Sequence, residues 1–324
     1  MKVKFTIMKI NKHILFLSVI ILTVYPFSTF SEQKPAISGN ITISGAFALY
    51  PLAVKWAEEF RKLNPGVKID ISAGGAGKGI TDVLTGAADI GMVSRDINPE
   101  ETKRGAFPIG VAKDAVVPTC SEKNPLLSVI LKKGVKRDLF YNLWVTGKAK
   151  NWGQVLGVKS TAPVHVYTRS DASGAGETWA NYFSRKQEDL LGVGVFGDPG
   201  VATAVKKDPI GIGYNNIVYV YDSKTKRQDI GVRVVPIDLN KNGTIDADEN
   251  FYDTLDDLMN AIASGKYPSP PARPLYFVTK GKSKNPAVKA FIAYILTDGQ
   301  QHVRESGYVS FSKDKLAAEL NKIK

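Results

Sequence analysis

The chain has little of the two residue types that build most metal and redox sites. Its 324 residues contain one cysteine, Cys120, and three histidines, His13, His165 and His302. A lone cysteine excludes a disulfide framework, and Cys120 lies too far from the N-terminus to carry a lipid behind a leader peptide. The histidines lack the two-histidine-plus-carboxylate spacing of a hydrolytic zinc site. Disulfide scaffolds and zinc hydrolases are therefore disfavoured.

Only one long apolar run stands out, and it lies at the N-terminus. Four lysines, an apolar run and a small polar stretch follow one another there (Lys2, Lys4, Lys9 and Lys12, then 14–27, then 28–31). This order predicts a secretory signal peptide over residues 1–31, and hence a soluble protein exported to a periplasm. An uncleaved membrane anchor is the alternative, although the run is short for a membrane span.

The remaining composition is that of an ordinary globular protein. The chain is 44% hydrophobic and 23% charged, which excludes disordered and fibrous classes. Its formal net charge is +12, and loss of the leader with its four lysines leaves +8. Because the basic residues are scattered among acids, this excess fits anion steering or solubility better than nucleic-acid binding.

A glycine-rich turn between a predicted strand and a predicted helix is the central motif. Alternating residues predict a strand that ends at Arg169, and a helix is predicted over Thr178–Phe183. Ser170–Gly176 connects the two, and its small residues indicate a tight turn. Because these side chains are small, the backbone of such a turn can approach a ligand closely.

Donors for an oxyanion collect at this turn. Backbone N–H groups at a helix start are unpaired and favour an anion, which selects those of Ser173, Gly174 and Ala175. Arg169 adds a planar fork of donors, and Asp171 is placed to hold that fork. The sequence therefore predicts an oxyanion site here, against the alternative of an ordinary capped helix with a surface arginine.

Three further segments are expected at the same edge of the sheet. A glycine-containing turn at 45–51 and a glycine run at 74–79 each follow a predicted strand and precede a predicted helix. Ser94 and Arg95 end another predicted strand, 88–93. Since ligands of α/β proteins gather at the carboxyl ends of strands, these segments are predicted to share one site.

Two nucleotide-binding motifs are formally present and are rejected on context. The glycine run at 74–79 is no Walker A loop, because Gly79 follows Lys78 where serine or threonine is required. The run Gly192-x-Gly194-x-x-Gly197 is interpreted as following a helix and leading into a turn at 198–200, whereas a dinucleotide fingerprint opens a helix.

Residues 238–249 match the twelve-residue calcium loop at every position. Oxygen-bearing residues stand at positions 1, 3 and 5, glycine at position 6 and glutamate at position 12. The predicted metal ligands are Asp238, Asn240, Asn242, Thr244 and Glu249. A strand is predicted before the loop in place of the usual helix, and a polar loop that merely turns is the alternative to bound Ca²⁺.

Taken together, these pieces resemble the phosphate-binding proteins of phosphate ABC importers over nearly the whole mature chain. The residues that carry the resemblance are Ser44–Pro51, Trp56–Phe60, Gly74–Gly79, Ala88–Arg95, Arg169–Ala175, Leu275–Gly281, Val288–Phe291 and Gly307–Val309. The resemblance implies an α/β, two-lobed type 2 periplasmic binding protein: a hinged clamp with two crossover segments and mixed central sheets flanked by helices. Lobe I is expected at 38–113 and 272–324, and lobe II, with the calcium-type loop, at 114–271.

The implied function is non-catalytic. The resemblance predicts a monomeric receptor that captures inorganic phosphate between its lobes and delivers it to an ABC permease, without nucleic-acid binding. By position, the family's phosphate contacts fall on Ala48 and Leu49 (backbone), Ala76, Ser94, Arg169, Ser173, Gly174 and Ala175.

Departures from the family pattern leave the identity of the bound anion open. A hydroxyl residue is usual where this chain has Ala76 and often where it has Ala175, and Ser94 stands where some members use an aspartate to accept the proton of hydrogen phosphate. Loss of two hydroxyl donors can redirect specificity tenfold or more, at roughly 1.5–3 kcal/mol for each charged hydrogen bond. Sulfate or another tetrahedral oxyanion therefore remains an alternative ligand.

Two other function classes are weighed against this one. An exported phosphate-ester hydrolase would need a nucleophile and base, and His165 lies eight residues before Ser173, but a strand histidine is more often packed. Cys120 has no evident partner and is expected to be a buried thiol. A calcium-dependent interaction module would use the loop at 238–249 but would leave the anion-ready helix starts without a purpose.

Overall fold

A computed structural model describes residues 1–4 and 37–324. The predicted signal peptide, 1–31, lies outside the described residues except for its first four. Within the described ranges, no helix combines the length and the apolar character needed to cross a membrane.

The described residues form nine strands joined in one mixed sheet. The strands are β1 (Ser38–Gly45), β2 (Gly66–Ala73), β3 (Ile90–Val93), β4 (Ala106–Ser121), β5 (His165–Arg169), β6 (Val193–Val195), β7 (Gly211–Asn216), β8 (Val232–Val234) and β9 (Ala272–Lys280). They are ordered β2-β1-β3-β9-β4-β7-β5-β6, with β8 also paired to β4. Parallel pairs lie at both ends of this order, and β9 and β4 run antiparallel between them.

Twelve α-helices are described in the same part of the chain. They are α1 (Tyr50–Leu63), α2 (Ala76–Thr85), α3 (Pro99–Lys103), α4 (Leu127–Lys133), α5 (Arg137–Trp144), α6 (Trp152–Leu156), α7 (Gly174–Asn181), α8 (Gly197–Lys207), α9 (Leu255–Ser264), α10 (Pro286–Leu296), α11 (Gln301–Glu305) and α12 (Lys313–Ile323). Short 3₁₀ helices cover Phe47–Leu49, Gln187–Asp189, Ile217–Tyr219 and Asp298–Gln300. The α/β class predicted from the sequence is confirmed.

The apolar residues of 37–324 pack into two separate cores. The first core holds Trp56, Phe277 and Phe291, and the second holds the other three tryptophans, at 144, 152 and 179. Strand β4 passes from the first core to the second between Ala112 and Ala115, and β9 returns between Ala272 and Leu275. Two adjacent strands therefore connect the cores, as a clamp with two crossovers requires, while the exact lobe boundaries stay a prediction.

Local signals explain the helices that were predicted well. Pro51 stands in the first turn of α1, where its missing N–H costs nothing, and Leu52, Trp56 and Phe60 repeat on its buried face. Asn285 caps α10 by accepting a hydrogen bond from Ala287 N at 3.0 Å. Helix α1 begins one residue before Pro51 without a side-chain cap, and α10 begins at Pro286, directly after its Asn285 cap.

The prediction over Ile217–Tyr221 is wrong. This run of β-branched and aromatic residues is strand-like in sequence, but Ile217–Tyr219 is a 3₁₀ helix. The Tyr219 hydroxyl donates to the carbonyl oxygen of Phe47 at 2.9 Å, a contact 172 residues distant in sequence. Tertiary contacts of this kind override a local strand propensity.

Candidate functional site

The Arg169 guanidinium lies buried at the end of β5 between two carboxylates. Its Nε and Nη2 donate to Asp171 at 2.8 and 2.5 Å, and its Nη1 donates to Asp198 Oδ2 at 2.5 Å. Burial disfavours the charged guanidinium, but Asp198 and Asp171 outweigh that effect, and the net result is a raised pKa for Arg169. Arg169 is therefore a fixed cation, and the prediction that Asp171 holds its fork is confirmed.

Two donors of Arg169 remain for a ligand. A guanidinium has five N–H groups, and the bonds to Asp171 and Asp198 use three of them. One N–H on each Nη atom is left, and such a pair suits two oxygens of one oxyanion. The Phe47 ring packs on the guanidinium, 5.4 Å from its central carbon, and adds a cation–π contact.

The glycine run at 74–79 meets the Arg169 turn directly. Gly77 N, in the first turn of α2, donates to the carbonyl oxygen of Ala172 at 3.0 Å. A Cβ on Gly75 would lie 2.7 Å from Asp171 Oδ2, and one on Gly77 would lie 2.5 Å from Ala172 Cβ. Since α2 packs on the first core and α7 on the second, this contact joins the two cores at the site.

Ser94 and Gly174 make a second contact between the cores. A Cβ added to Gly174 would stand 2.1 Å from Ser94 Oγ and 2.6 Å from its carbonyl oxygen. Only glycine allows this approach, and its φ is unexceptional, so the requirement is steric space and not backbone conformation. The structure thus brings Ser94, at the end of β3, against the N-terminus of α7.

We expect Gly174→Ala to weaken anion binding by roughly tenfold to a hundredfold. The added methyl group forces Ser94 away, and overpacking of this kind costs roughly 1–3 kcal/mol when the two cores meet at the site. Titration calorimetry with phosphate measures the change. Gly194→Ala is the matched control, because its Cβ would come no closer than 3.3 Å to any neighbour. An affinity for Gly174→Ala equal to that of the control would contradict the steric argument.

The segment Phe47–Leu49 is held in place by two tyrosines. Tyr219 donates to Phe47 O, and the Tyr308 hydroxyl donates to Ala48 O at 2.7 Å. Leu49 N bonds Ala46 O at 3.2 Å, so its amide is already engaged, whereas Ala48 N stands in the first turn of the 3₁₀ helix. Of the two predicted backbone donors, Ala48 is the better placed.

All eight residues predicted to contact the ligand are buried and lie on these segments. One predicted donor, the backbone N–H of Ser173, is bonded within the protein. Ser173 N donates to Gln187 Oε1 at 2.8 Å, and its Oγ caps α7 by accepting from Gly176 N. Its backbone N–H is therefore not directed at a ligand, while the hydroxyl proton still can be. Ala76 and Ala175 are the first and second residues of α2 and α7, where helix N–H groups lack intrahelical partners. Their contacts to phosphate stay predictions.

Helix α7 begins four residues before the predicted start. The sequence indicated a turn over Ser170–Gly176, but Gly174 is already helical. Glycines weaken local helix propensity, and the Ser173 cap and Gln187 contact compensate for them. The anion-ready helix start therefore lies at Gly174 itself.

Asp198 is the functional residue that sequence reasoning missed. It is buried, binds Arg169, and accepts a hydrogen bond from Asn216 N at 3.0 Å. The prediction that 198–200 forms a turn was wrong, because α8 begins at Gly197 with β6 before it. One sequence signal could have revealed this helix start: proline is favoured in the first helical turn, and an acid there interacts favourably with the helix dipole. The run 192–197 still departs from a dinucleotide loop, since Gly194 lies inside β6.

A buried polar network connects this site to the crossover strands. The Asn216 side-chain oxygen accepts from Arg273 on β9, and Arg273 Nε donates to Asp114 Oδ1 on β4 at 2.8 Å. Arg273 also donates to Thr178 Oγ1 in α7 at 3.0 Å. Every member is buried, so the anion site and the strands between the cores form one continuous hydrogen-bonded structure.

Other side chains highlighted in the sequence are engaged elsewhere. Arg95 bonds Glu101 at 2.6 and 2.9 Å and does not join Arg169. His165 pairs with Asp208 at 2.7 Å, and Cys120 is fully buried, with a pKa that burial raises to about 12. Among residues 1–4 and 37–324, no three His, Cys, Asp or Glu side chains are grouped to hold a metal ion.

Comparison with known proteins gives a consistent result. Residues 31–299 match the model of the PBP superfamily domain. The phosphate-binding protein PstS of Bacillus subtilis is 30% identical over 294 residues, which cover 90% of this chain and 86% of that protein. PstS of Pseudomonas aeruginosa is 27% identical over 310 residues, with 86% and 85% of the two chains covered.

Solved structures agree with the sequence relatives. A structure with bound phosphate from Clostridium perfringens, assigned to the phosphate ABC transporter substrate-binding proteins, superposes with a TM-score of 0.69 at 26% identity. The match covers 85% of this chain and 100% of that one. An ABC-type phosphate transport receptor from Vibrio cholerae, at 22% identity, shares the fold with a TM-score of 0.62 and coverages of 84% and 100%. The chain therefore belongs to the PBP superfamily and, within it, to the phosphate-binding proteins of phosphate ABC importers.

Proposed function

We propose that this protein captures inorganic phosphate between its two cores and delivers it to an ABC permease. The observation that carries the proposal is the meeting of two helix N-termini, those of α2 and α7, beside Arg169. Each N-terminus supplies amide donors and a favourable dipole, and Arg169 supplies two further donors. The names of the relatives support phosphate as the anion.

The charge at the site favours an anion that carries a proton. Arg169 with Asp171 and Asp198 has a net charge of −1, so oriented amides and hydroxyls must add to the two hydrogen bonds from Arg169 to hold the anion. Hydrogen phosphate can donate its proton to a carboxylate oxygen, whereas sulfate has no proton to donate and is repelled. Since position 94 carries serine and not an acid, the carboxylates beside Arg169 are the proposed acceptors of that proton.

The protein is proposed to act as a receptor and not as an enzyme. Arg169, Ser94 and the helix N-termini supply hydrogen-bond donors, and the two carboxylates beside Arg169 are bound to it and not to a nucleophile. The leader pattern of residues 1–31 supports export to the periplasm, where such a receptor meets its permease. A monomer suffices, since one chain supplies both sides of the site.

Calorimetric titration at fixed ionic strength tests the choice of anion. We expect phosphate and arsenate to bind with similar affinity and sulfate to bind roughly a hundredfold or more weakly, because sulfate has no proton to donate to the carboxylates beside Arg169. Tight sulfate binding with weak phosphate binding would assign the site to the alternative oxyanion. The absence of any anion-dependent heat or stabilisation would overturn the function.

A further inference from the structure

The loop at 238–249 buries two carboxylates at its ends. Asp238 and Glu249 are 2% and 3% exposed, while Asn240, Asn242 and Thr244 between them are exposed. Neither carboxylate forms an ion pair with a lysine, arginine or histidine of the described residues. Backbone N–H groups of the loop donate to both oxygens of Glu249, but two buried carboxylates without a counter-charge are still costly, which favours a bound cation.

One oxygen of Asp238 identifies where that cation is held. Asp238 Oδ2 accepts a hydrogen bond from Gly243 N at 2.8 Å, which fixes the carboxylate on the inner side of the loop. Asp238 Oδ1 is buried and accepts no hydrogen bond within the described residues. A buried acceptor without a partner requires an explanation, and a bound ion supplies it.

Neighbouring polar groups orient further oxygen ligands. Asp246 Oδ2 accepts from the side-chain amide nitrogens of Asn240 and Asn242, each at 2.8 Å, and fixes the orientation of both amides. The amide oxygens of these two asparagines stand at the third and fifth positions, after Asp238. Carboxylate, amide and backbone oxygens together form the ligand set that Ca²⁺ prefers, whereas zinc prefers sulfur and imidazole.

We propose that the loop binds Ca²⁺ through Asp238, Asn240, Asn242, Glu249 and the backbone carbonyl of Thr244. The loop contacts the end of α4 and the segment after it: Ile245 N donates to Lys132 O at 2.9 Å, and Asp238 N donates to Val135 O at 3.2 Å. Bound Ca²⁺ therefore ties the loop to the second core. Its effect is on stability, and phosphate affinity is expected to change little.

Thermal unfolding and terbium luminescence of the full chain test this site. After chelation, 10 mM CaCl₂ is expected to raise Tm by about 5 °C, given a Kd of roughly 10⁻⁴ M, and 10 mM MgCl₂ to raise it far less. Tb³⁺ is expected to show sensitised emission that Ca²⁺ suppresses, because the Tyr252 hydroxyl accepts from Ile237 N, next to Asp238.

Isosteric variants separate this loop from any other cation site. Asp238→Asn and Glu249→Gln keep the hydrogen-bond acceptors that shape the loop and are each expected to weaken Ca²⁺ binding at least roughly tenfold. Asp248→Asn, at an exposed position of the same loop, removes the same charge and is expected to leave binding unchanged. Phosphate titration of each variant verifies its fold independently of Ca²⁺.

Three results would overturn the proposal. One is the absence of both the Ca²⁺-dependent Tm shift and the terbium signal. Another is an equal Ca²⁺ response in wild type, Asp238→Asn and Glu249→Gln, which would place the ion elsewhere. The third is an equal response to Mg²⁺ and Ca²⁺, which would refute the assignment of calcium.

Discussion

Replacing Arg169 with methionine is expected to weaken phosphate binding about a thousandfold. The substitution removes two charge-assisted hydrogen bonds to the anion, worth roughly 1.5–3 kcal/mol each. It also leaves Asp171 and Asp198 buried without their counter-charge, so phosphate would then meet two uncompensated carboxylates. Calorimetric titration with phosphate measures the loss.

Controls separate the loss of a ligand contact from a general loss of charge. Arg104→Met removes one positive charge from an exposed position and is expected to change the affinity less than about twofold. Arg169→Lys keeps the charge but not the planar fork, so most of the affinity is still expected to be lost. If Arg169→Met retained phosphate affinity within tenfold of wild type, Arg169 would not be a principal ligand.

The second large effect is expected at the crossover strands. Asp114→Asn is predicted to lower the free energy of unfolding by about 3–5 kcal/mol, because it leaves the buried Arg273 guanidinium without its carboxylate partner. Burial raises the pKa of Asp114, and Arg273 offsets part of that rise. The buried ion pair therefore already carries a desolvation cost. Urea denaturation followed by circular dichroism measures the difference.

A surface ion pair provides the comparison for this substitution. Asp256→Asn breaks the exposed contact between Asp256 and Arg304, which are 3.2 Å apart, and is expected to cost about 1 kcal/mol or less. Equal costs for the buried and the exposed substitution would show that the network around Arg273 does not hold the two cores together.

The sequence predicts the local parts of this molecule well. Helix α1 follows from Pro51 and the spacing of Leu52, Trp56 and Phe60, and β5 follows from the alternation that ends at Arg169. The pairing of Arg169 with Asp171 was also predictable, since the two residues are two positions apart. In each case the signal and the structure lie within a few residues of each other.

Ion pairs between distant segments could not be predicted from local sequence patterns. Asp198 lies 29 residues from Arg169, and nothing in its local sequence distinguishes it from any acid in the first turn of a helix. Arg273 reaches Asp114 across 159 residues, whereas the approach of Ser94 to the Arg169 turn was expected from the shared strand edge. These pairings follow from the order of strands in the sheet, which periodicity does not specify. The sequence indicates helix over Val201–Val205, but the first turn of α8 was missed because Gly197 and Pro199 resemble a turn when read without their tertiary contacts.

The proposed function requires both cores to contribute ligands to one tetrahedral anion. A crystal structure of the protein with phosphate tests it most directly. We expect phosphate to be bound by Arg169, by Ser94 Oγ and by the N-termini of α2 and α7, between the two cores. Phosphate bound on one core alone, without contact to Arg169, would contradict it.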